Sequence, residues 1–145
     1  MEKSTNIFPK RVGAISEIMK MTSILQTKLV VESYLHGHDS SKIADDAVFV
    51  VMGTGQESRG REAIEQLLDY FYNKAFSARF AQKDLIFGEG KAVVEGDFYG
   101  RQNVEFAGVR PSGKEVHVPL CVTYDVKNGK IVRANIYFET DALRI

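Results

Sequence analysis

Four β-prone runs follow one another at about 79–87, 91–107, 114–126 and 130–139, separated only by short turn signals. The signals are "GEG" at 88–90, "PSG" at 111–113 and "NG" at 128–129. Asn128-Gly129 is the strongest, because a type I′ hairpin needs positive φ at both central residues. Connections this short join antiparallel neighbours, so the second half of the chain is expected to form a four-stranded antiparallel meander. Gly96 and Gly100 fall inside the second run, where glycine marks a bend or bulge. A bent sheet has a concave face, and that face needs a cover.

The first half of the chain supplies one. From Ile15 the apolar positions run 15, 18, 19, 22 (a threonine), 25, 29 and 30, then Val31, Tyr34 and Leu35, stopping at Gly37. This is helical spacing, as one long helix or two shorter ones, with Gly37 as a C-terminal cap. "DDAVFVVMG" (45–53) reads as a strand, and Gly53, Gly55 and Gly60 mark a loop after it. Ile64, Leu67, Leu68, Phe71, Ala75 and Phe76 then give a second amphipathic helix, with Glu62 and Glu65 near its positive end. Residues 1–13 read as a loose arm and 14–145 as the folded part of a single domain spanning 1–145.

Composition narrows the partners. Nineteen basic residues balance nineteen acidic ones, which argues against nucleic acid or an anionic membrane. No apolar run approaches the ~18 residues of a membrane span. The single cysteine, Cys121, forms no internal disulfide and suits a reducing, cytoplasmic setting.

Several stretches invite a chemical reading. "GQESRGRE" (55–62) has phosphate-loop glycine spacing, but Arg61 and Glu62 stand where that loop needs Lys and Ser or Thr, so it reads as a plain connection. "HGHD" (36–39) offers His36, His38 and Asp39 without further ligands at suitable spacing, and reads as a helix end opening into a turn. No metal is expected. In the run 114–126, alternation sets Val116, Val118, Leu120, Val122 and Tyr124 on one face. His117, Pro119, Cys121 and Thr123 take the other, which reads as a pocket wall with Cys121 a buried, inert thiol. Glu95, Asp97, Tyr99 and Arg101 form a polar face on the preceding strand, suited to solvent or a subunit contact.

A helix ending in "YLHGHD", then "ADDAVFVV", "GREAIEQLL" and a meander closing on "NGKIV" resembles the nuclear transport factor 2-like superfamily over residues 22–140. "EFAGVRPSGKEVHVPL" (105–120) and "IYFETDAL" look most like its SnoaL-like polyketide cyclase branch, beside the ketosteroid isomerases. The resemblance implies an α+β fold: a cone-shaped, curved antiparallel meander sheet wrapped on two or three N-terminal helices. The positions matching the ketosteroid isomerase acids are Val51 and Cys121, which disfavours that chemistry. The histidine of the SnoaL-like glycine-threonine-histidine stretch is replaced by Gln102, and the acid/base aspartate falls on Glu139. An epoxide hydrolase of this superfamily would need an Asp-Arg-Asp relay, which finds no place here.

The resemblance thus implies a cofactor-independent cyclase or isomerase acting on an apolar, carbonyl-bearing small molecule in an enclosed pocket. Glu139 would be its acid/base, since desolvation at an apolar wall disfavours the charged carboxylate and lets it exchange a proton near neutral pH. His117 would be its catalytic partner, with Gln102, Cys121, Tyr137, Tyr34 and Phe71 binding substrate. The alternative is a non-catalytic ligand-binding or accessory protein. Either is expected to be a homodimer through the exposed sheet face.

Overall fold

The computed structural model describes the backbone of residues 2–145 and side chains from Gly13 onward. The loose arm expected over 1–13 therefore falls outside the described side chains, apart from Gly13. Helix α1 spans Glu2–Leu35, one helix and not two. Strand β1 is Ile43–Val51, β2 Gln56–Arg59, helix α2 Arg61–Asp69, β3 Phe76–Gly88, β4 Lys91–Gln102, β5 Glu115–Lys127 and β6 Lys130–Phe138.

The expected meander β3–β6 is present. Asn128 and Gly129 both take positive φ, 52° and 73°, as a type I′ turn requires. Two features correct the sequence reading. Residues 56–59 are a short edge strand antiparallel to β1, where a loop was expected. In addition, β1 lies parallel to β6, so the sheet is mixed and six-stranded, in the order β2-β1-β6-β5-β4-β3. The Arg61 guanidinium is spent inside this arrangement. It donates to the Ile43 carbonyl at 2.9 and 3.2 Å and pairs with Asp45, tying the start of α2 to β1.

The β3–β4 pair is irregular near its middle. The β3 register slips between Gln82 and Asp84, and a Cβ on Gly96 would lie 2.5 Å from Phe80 Cζ. Only glycine allows that approach. The second expected run, 91–107, ends early at Gln102, and residues 103–114 form a loop. Phe106 and Val109 exchange both backbone hydrogen bonds across Ala107-Gly108, folding the loop back on itself.

Both helices cover the same face of the bent sheet. Val30, Val31 and Tyr34 of α1 and Ile64 and Leu67 of α2 are buried together with Val94, Phe98, Val116, Val118 and Leu120 of the strands. One part of this core is solid aromatic packing. Phe71 lies edge-on to Phe98, Phe106 and Phe138, with ring centroids 4.9–5.4 Å apart, a geometry that places ring edges against π faces. Among the described residues, no helix is long and apolar enough to cross a membrane.

Candidate functional site

Beside the phenylalanine cluster the core is not filled. A cavity of about 40 Å³ lies between the helices and the sheet, lined by Phe49, Leu67, Phe71, Phe80, Leu120 and Val122, with Tyr34, His38, Tyr72 and Tyr124 as its polar members. The volume is room for a few waters, so a larger ligand must widen it.

Each polar group reaches the cavity for a local reason. Tyr34 sits on the buried stripe of α1, and Tyr124 continues the inward alternation of Leu120 and Val122 on β5. Tyr72 arrives through a break in helical pitch. After α2 the chain makes a π turn over Tyr70–Lys74, closed by the Ala75 amide donating to the Tyr70 carbonyl at 2.7 Å. Such turns redirect side chains and concentrate at functional sites. His38 follows the end of α1. Gly37 and His38 both adopt left-handed backbone, φ 76° and 54°, a conformation histidine tolerates better than most residues. The turn carries the imidazole back over the cavity, 5.0 Å from the Tyr72 ring and 5.5 Å from the Tyr34 ring.

The electrostatics follow from burial. Desolvation holds the Tyr34 phenol protonated well above its ordinary range, and the neighbouring Tyr124 and Tyr72 reinforce this. Tyr124 and Tyr72 are pushed up in the same way, again chiefly by burial. All three therefore stay donors at any physiological pH. None of their hydroxyls is hydrogen-bonded within the described residues. Burial moves His38 the other way, below its ordinary value of 6.5, so the ring is neutral at pH 7. A neutral imidazole can accept a proton, and three free phenols can donate hydrogen bonds. Together they can enolise a carbonyl compound.

The residues singled out from sequence divide between the two faces of the sheet. Tyr34 and Phe71 line the cavity. Glu139, Cys121 and Tyr137 instead line an open groove of about 580 Å³ on the outer face, along with Lys83, Glu95 and Asp97. On β5 the face of Leu120, Val122 and Tyr124 lines the inner cavity, while Pro119 and Cys121 of the opposite face line the open groove. Glu139 is exposed and lies just beyond β6, its amide donating to the Pro119 carbonyl at 3.2 Å. Cys121 is partly exposed, where a buried thiol was expected, and burial with nearby Glu95 raises its pKa.

His117 lies on the outer face, stacked on Tyr99 at 4.5 Å, with Nε2 2.8 Å from Asp97 Oδ1. Asp97, 3% exposed, also receives Lys83 Nζ at 2.9 Å. Hydrogen bonds from Lys83 and then His117 hold its carboxyl below the usual range. Gln102 belongs to neither site. Its Nε2 donates to the Val104 and Val109 carbonyls at 3.0 and 2.6 Å, clamping the 103–114 loop, while Oε1 is buried without a partner.

The sequence reading missed His38, Tyr72 and Tyr124 as site residues. A signal existed for Tyr124: a hydroxyl carried along the apolar side of an alternating strand. The histidine pair of "HGHD" is split, with His36 exposed and His38 turned inward. Among the described residues, no three side chains of metal-binding type come together.

Residues 40–143 match the family of SnoaL-like polyketide cyclases, and the chain belongs to that family. No curated relative matches by sequence. Among solved structures, the fold is similar to a candidate SnoaL-like polyketide cyclase from Jannaschia sp. CCS1 at 16% identity and TM-score 0.71, covering 83% of this chain and 90% of that one. It is also similar to an LEH-like epoxide hydrolase of M. tuberculosis at 15% identity and TM-score 0.63, covering 83% and 88%. A protein of ketosteroid isomerase-like fold from Catenulispora acidiphila, solved with trimethylamine, matches at 13% identity and TM-score 0.64, covering 79% and 88%. The α+β cone of the nuclear transport factor 2-like superfamily is the fold of this chain.

Proposed function

We propose that the chain is a cofactor-independent cyclase or isomerase for an apolar, carbonyl-bearing small molecule, working in the inner cavity. The observation that carries this reading is a neutral imidazole placed over three unpaired phenols in an apolar slot. His38 takes the proton α to the carbonyl, and the carbonyl oxygen accepts hydrogen bonds from Tyr124 and its neighbours as it becomes an enolate. The enolate carbon then attacks a second carbonyl of the same molecule, or is reprotonated at another carbon. The imidazolium returns its proton in either case. Holding the two ends of the substrate together supplies much of the rate. The slot widens for such a substrate at its two walls outside the sheet, the His38 turn and the π turn.

The base role goes to His38 and not to Glu139, because a carboxylate on the far face of the sheet cannot reach this cavity. The outer face carries Tyr137, Ile86 and partly exposed Cys121, and we read it as the contact surface of a homodimer. A single thiol fits a reducing cytoplasm.

The test needs no knowledge of the natural substrate. Apolar ketones from cyclohexanone to 2-tetralone are incubated in D2O with the protein, and α-proton exchange is followed by NMR. Exchange accelerated by the wild type and lost in His38→Gln supports the reading. Ketones that bind without any accelerated exchange would overturn catalysis and leave a small-ligand-binding protein.

A further inference from the structure

Helix α1 is longer than the sheet it covers. Toward its N-terminal side it touches the β3–β4 hairpin, where Thr27 Oγ1 accepts from the Gly90 amide at 3.0 Å and Lys28 Nζ lies 5.8 Å from the Phe87 ring centroid, and Ser23 and Ile24 are half-buried. Every residue from 13 to 22 is exposed, on all sides of the helix. That stretch is nevertheless apolar. Ile18 is 62% exposed, Leu25 54% and Leu29 66%, values expected of lysines and glutamates on a solvated helix.

These side chains are ordered. At 3.6 residues per turn, Ile18, Leu25 and Leu29 fall within about 20° of the line directly opposite buried Thr27. With Ile15 and Thr22 they make positions 15, 18, 22, 25 and 29, alternating steps of three and four. Over two heptads this is the a/d spacing of a coiled-coil seam, which pairs with another helix of the same repeat. The one polar member does not spoil it, since Thr22 Oγ1 donates to the Ile18 carbonyl of its own helix at 2.8 Å. A lone projecting helix gains nothing from exposing such a seam and is marginal without a partner.

We propose that this part of α1 pairs with the same segment of a second copy of the chain, through Ile15, Ile18, Thr22, Leu25 and Leu29. A seam repeated in each copy is complementary to itself, which a two-fold dimer requires. Charge agrees. Between Ile15 and Leu29 the segment carries Glu17 against Lys20 and Lys28, a net charge of only one, so repulsion between two copies is small. A membrane surface would instead select a basic polar face. This interface is separate from the outer face of the sheet and independent of the cavity chemistry.

The test is the mass of the full chain by sedimentation velocity and light scattering at micromolar concentration. Ile18→Glu/Leu25→Glu is expected to halve the mass of the wild-type particle while the near-UV circular dichroism of the folded domain is kept, and Ile18→Leu/Leu25→Ile to retain the wild-type mass. Amine cross-linking of mixed light and nitrogen-15-labelled wild-type chains needs no variant. It should give mixed-isotope links among Lys20 and Lys28. A mass unchanged by the charge substitutions, a monomeric wild type, or cross-links confined to the sheet would overturn the proposal. So would flotation of the wild type on phosphatidylcholine–phosphatidylglycerol vesicles that the double glutamate variant loses without change of mass.

Discussion

Strand β5 carries two chemistries on one backbone. On its inner side Val118, Leu120, Val122 and Tyr124 are buried under the helices. On its outer side His117, Cys121 and Thr123 are exposed or partly so. The outer side holds more ionisable groups, yet those nearest His117 are already committed. Asp97 is held by Lys83 and His117 together, and His117 is stacked on Tyr99. Inside, the few polar groups face a narrow apolar slot with room for only a few waters. Groups whose hydrogen-bonding capacity is not spent on the protein, in such a slot, are the ones that can act on a ligand. Counting charges would choose the outer face, while counting free donors and acceptors chooses the cavity.

The largest expected effect lies in the cavity. His38→Gln should lower enzyme-accelerated α-proton exchange by about 10²–10⁴-fold, the usual worth of a general base. The pH dependence sharpens this. Burial lowers the His38 pKa from 6.5, so exchange should hold its rate at pH 6.5 and fall only on the acid side of it. Stability should follow the same group. Below about pH 6.5 the unfolded chain binds a proton that the folded one resists. Stability is therefore lost as pH falls from 6.5 to the folded value, and is flat above and below that window. Chemical denaturation across pH 4–8 should show this slope in the wild type and less of it in His38→Gln. An equal slope in both would break the assignment of His38 as a half-buried neutral ring.

How far the sequence showed this site depends on which forces are local. The meander was legible because turns are local: Asn128-Gly129 announces its own backbone. The β1–β6 pairing was not, because parallel neighbours far apart in sequence leave no turn signal between them. Polar "QESR" likewise gives little sign of an edge strand. Alternation correctly sorted β5 into two faces. It could not by itself say which faced inward, and the polar face was chosen as the pocket wall for its chemistry. Burial follows apolar area instead, so the Val118–Tyr124 face went under the helices. His38 was hidden for another reason, since only a left-handed turn after Gly37 brings it back.

A second substitution probes the donors. Tyr124→Phe keeps the ring and removes the hydroxyl, so exchange should fall by about 10²-fold, as for loss of one oxyanion-stabilising donor. Stability should change little, since the hydroxyl opens on the cavity. A drop in melting temperature would show instead that Tyr124 is bonded in the core.

Gly96 tests what the two faces share. Its added Cβ would press into the Ala81 backbone carbonyl oxygen and meet Phe80 Cζ at 2.5 Å on the neighbouring strand β3, and Phe80 also lines the cavity. Gly96→Ala should cost about 1–3 kcal/mol through overpacking, read as a lower Tm. Because displacing Phe80 reshapes the cavity wall, exchange should weaken as well. Lost stability with exchange intact would separate the β3–β4 contact from the cavity.

The smallest effect should come from Glu139, where the comparison is most easily broken. Its carboxylate is exposed, and the part of the residue the fold uses is the backbone: its amide bonds to the Pro119 carbonyl, and its carbonyl accepts from the Ala142 amide at 3.1 Å. Glutamine keeps both contacts and nearly the same shape. Glu139→Gln should therefore shift stability by less than about 0.5 kcal/mol, as for most surface substitutions. α-Proton exchange should change less than about twofold, because this side chain lies across the sheet from the proton acceptor. If exchange instead collapsed in Glu139→Gln and survived in His38→Gln, the working face would be the outer one. The groove with Lys83, Cys121 and Tyr137 would then be the site, and the free phenols of the cavity would be packing alone.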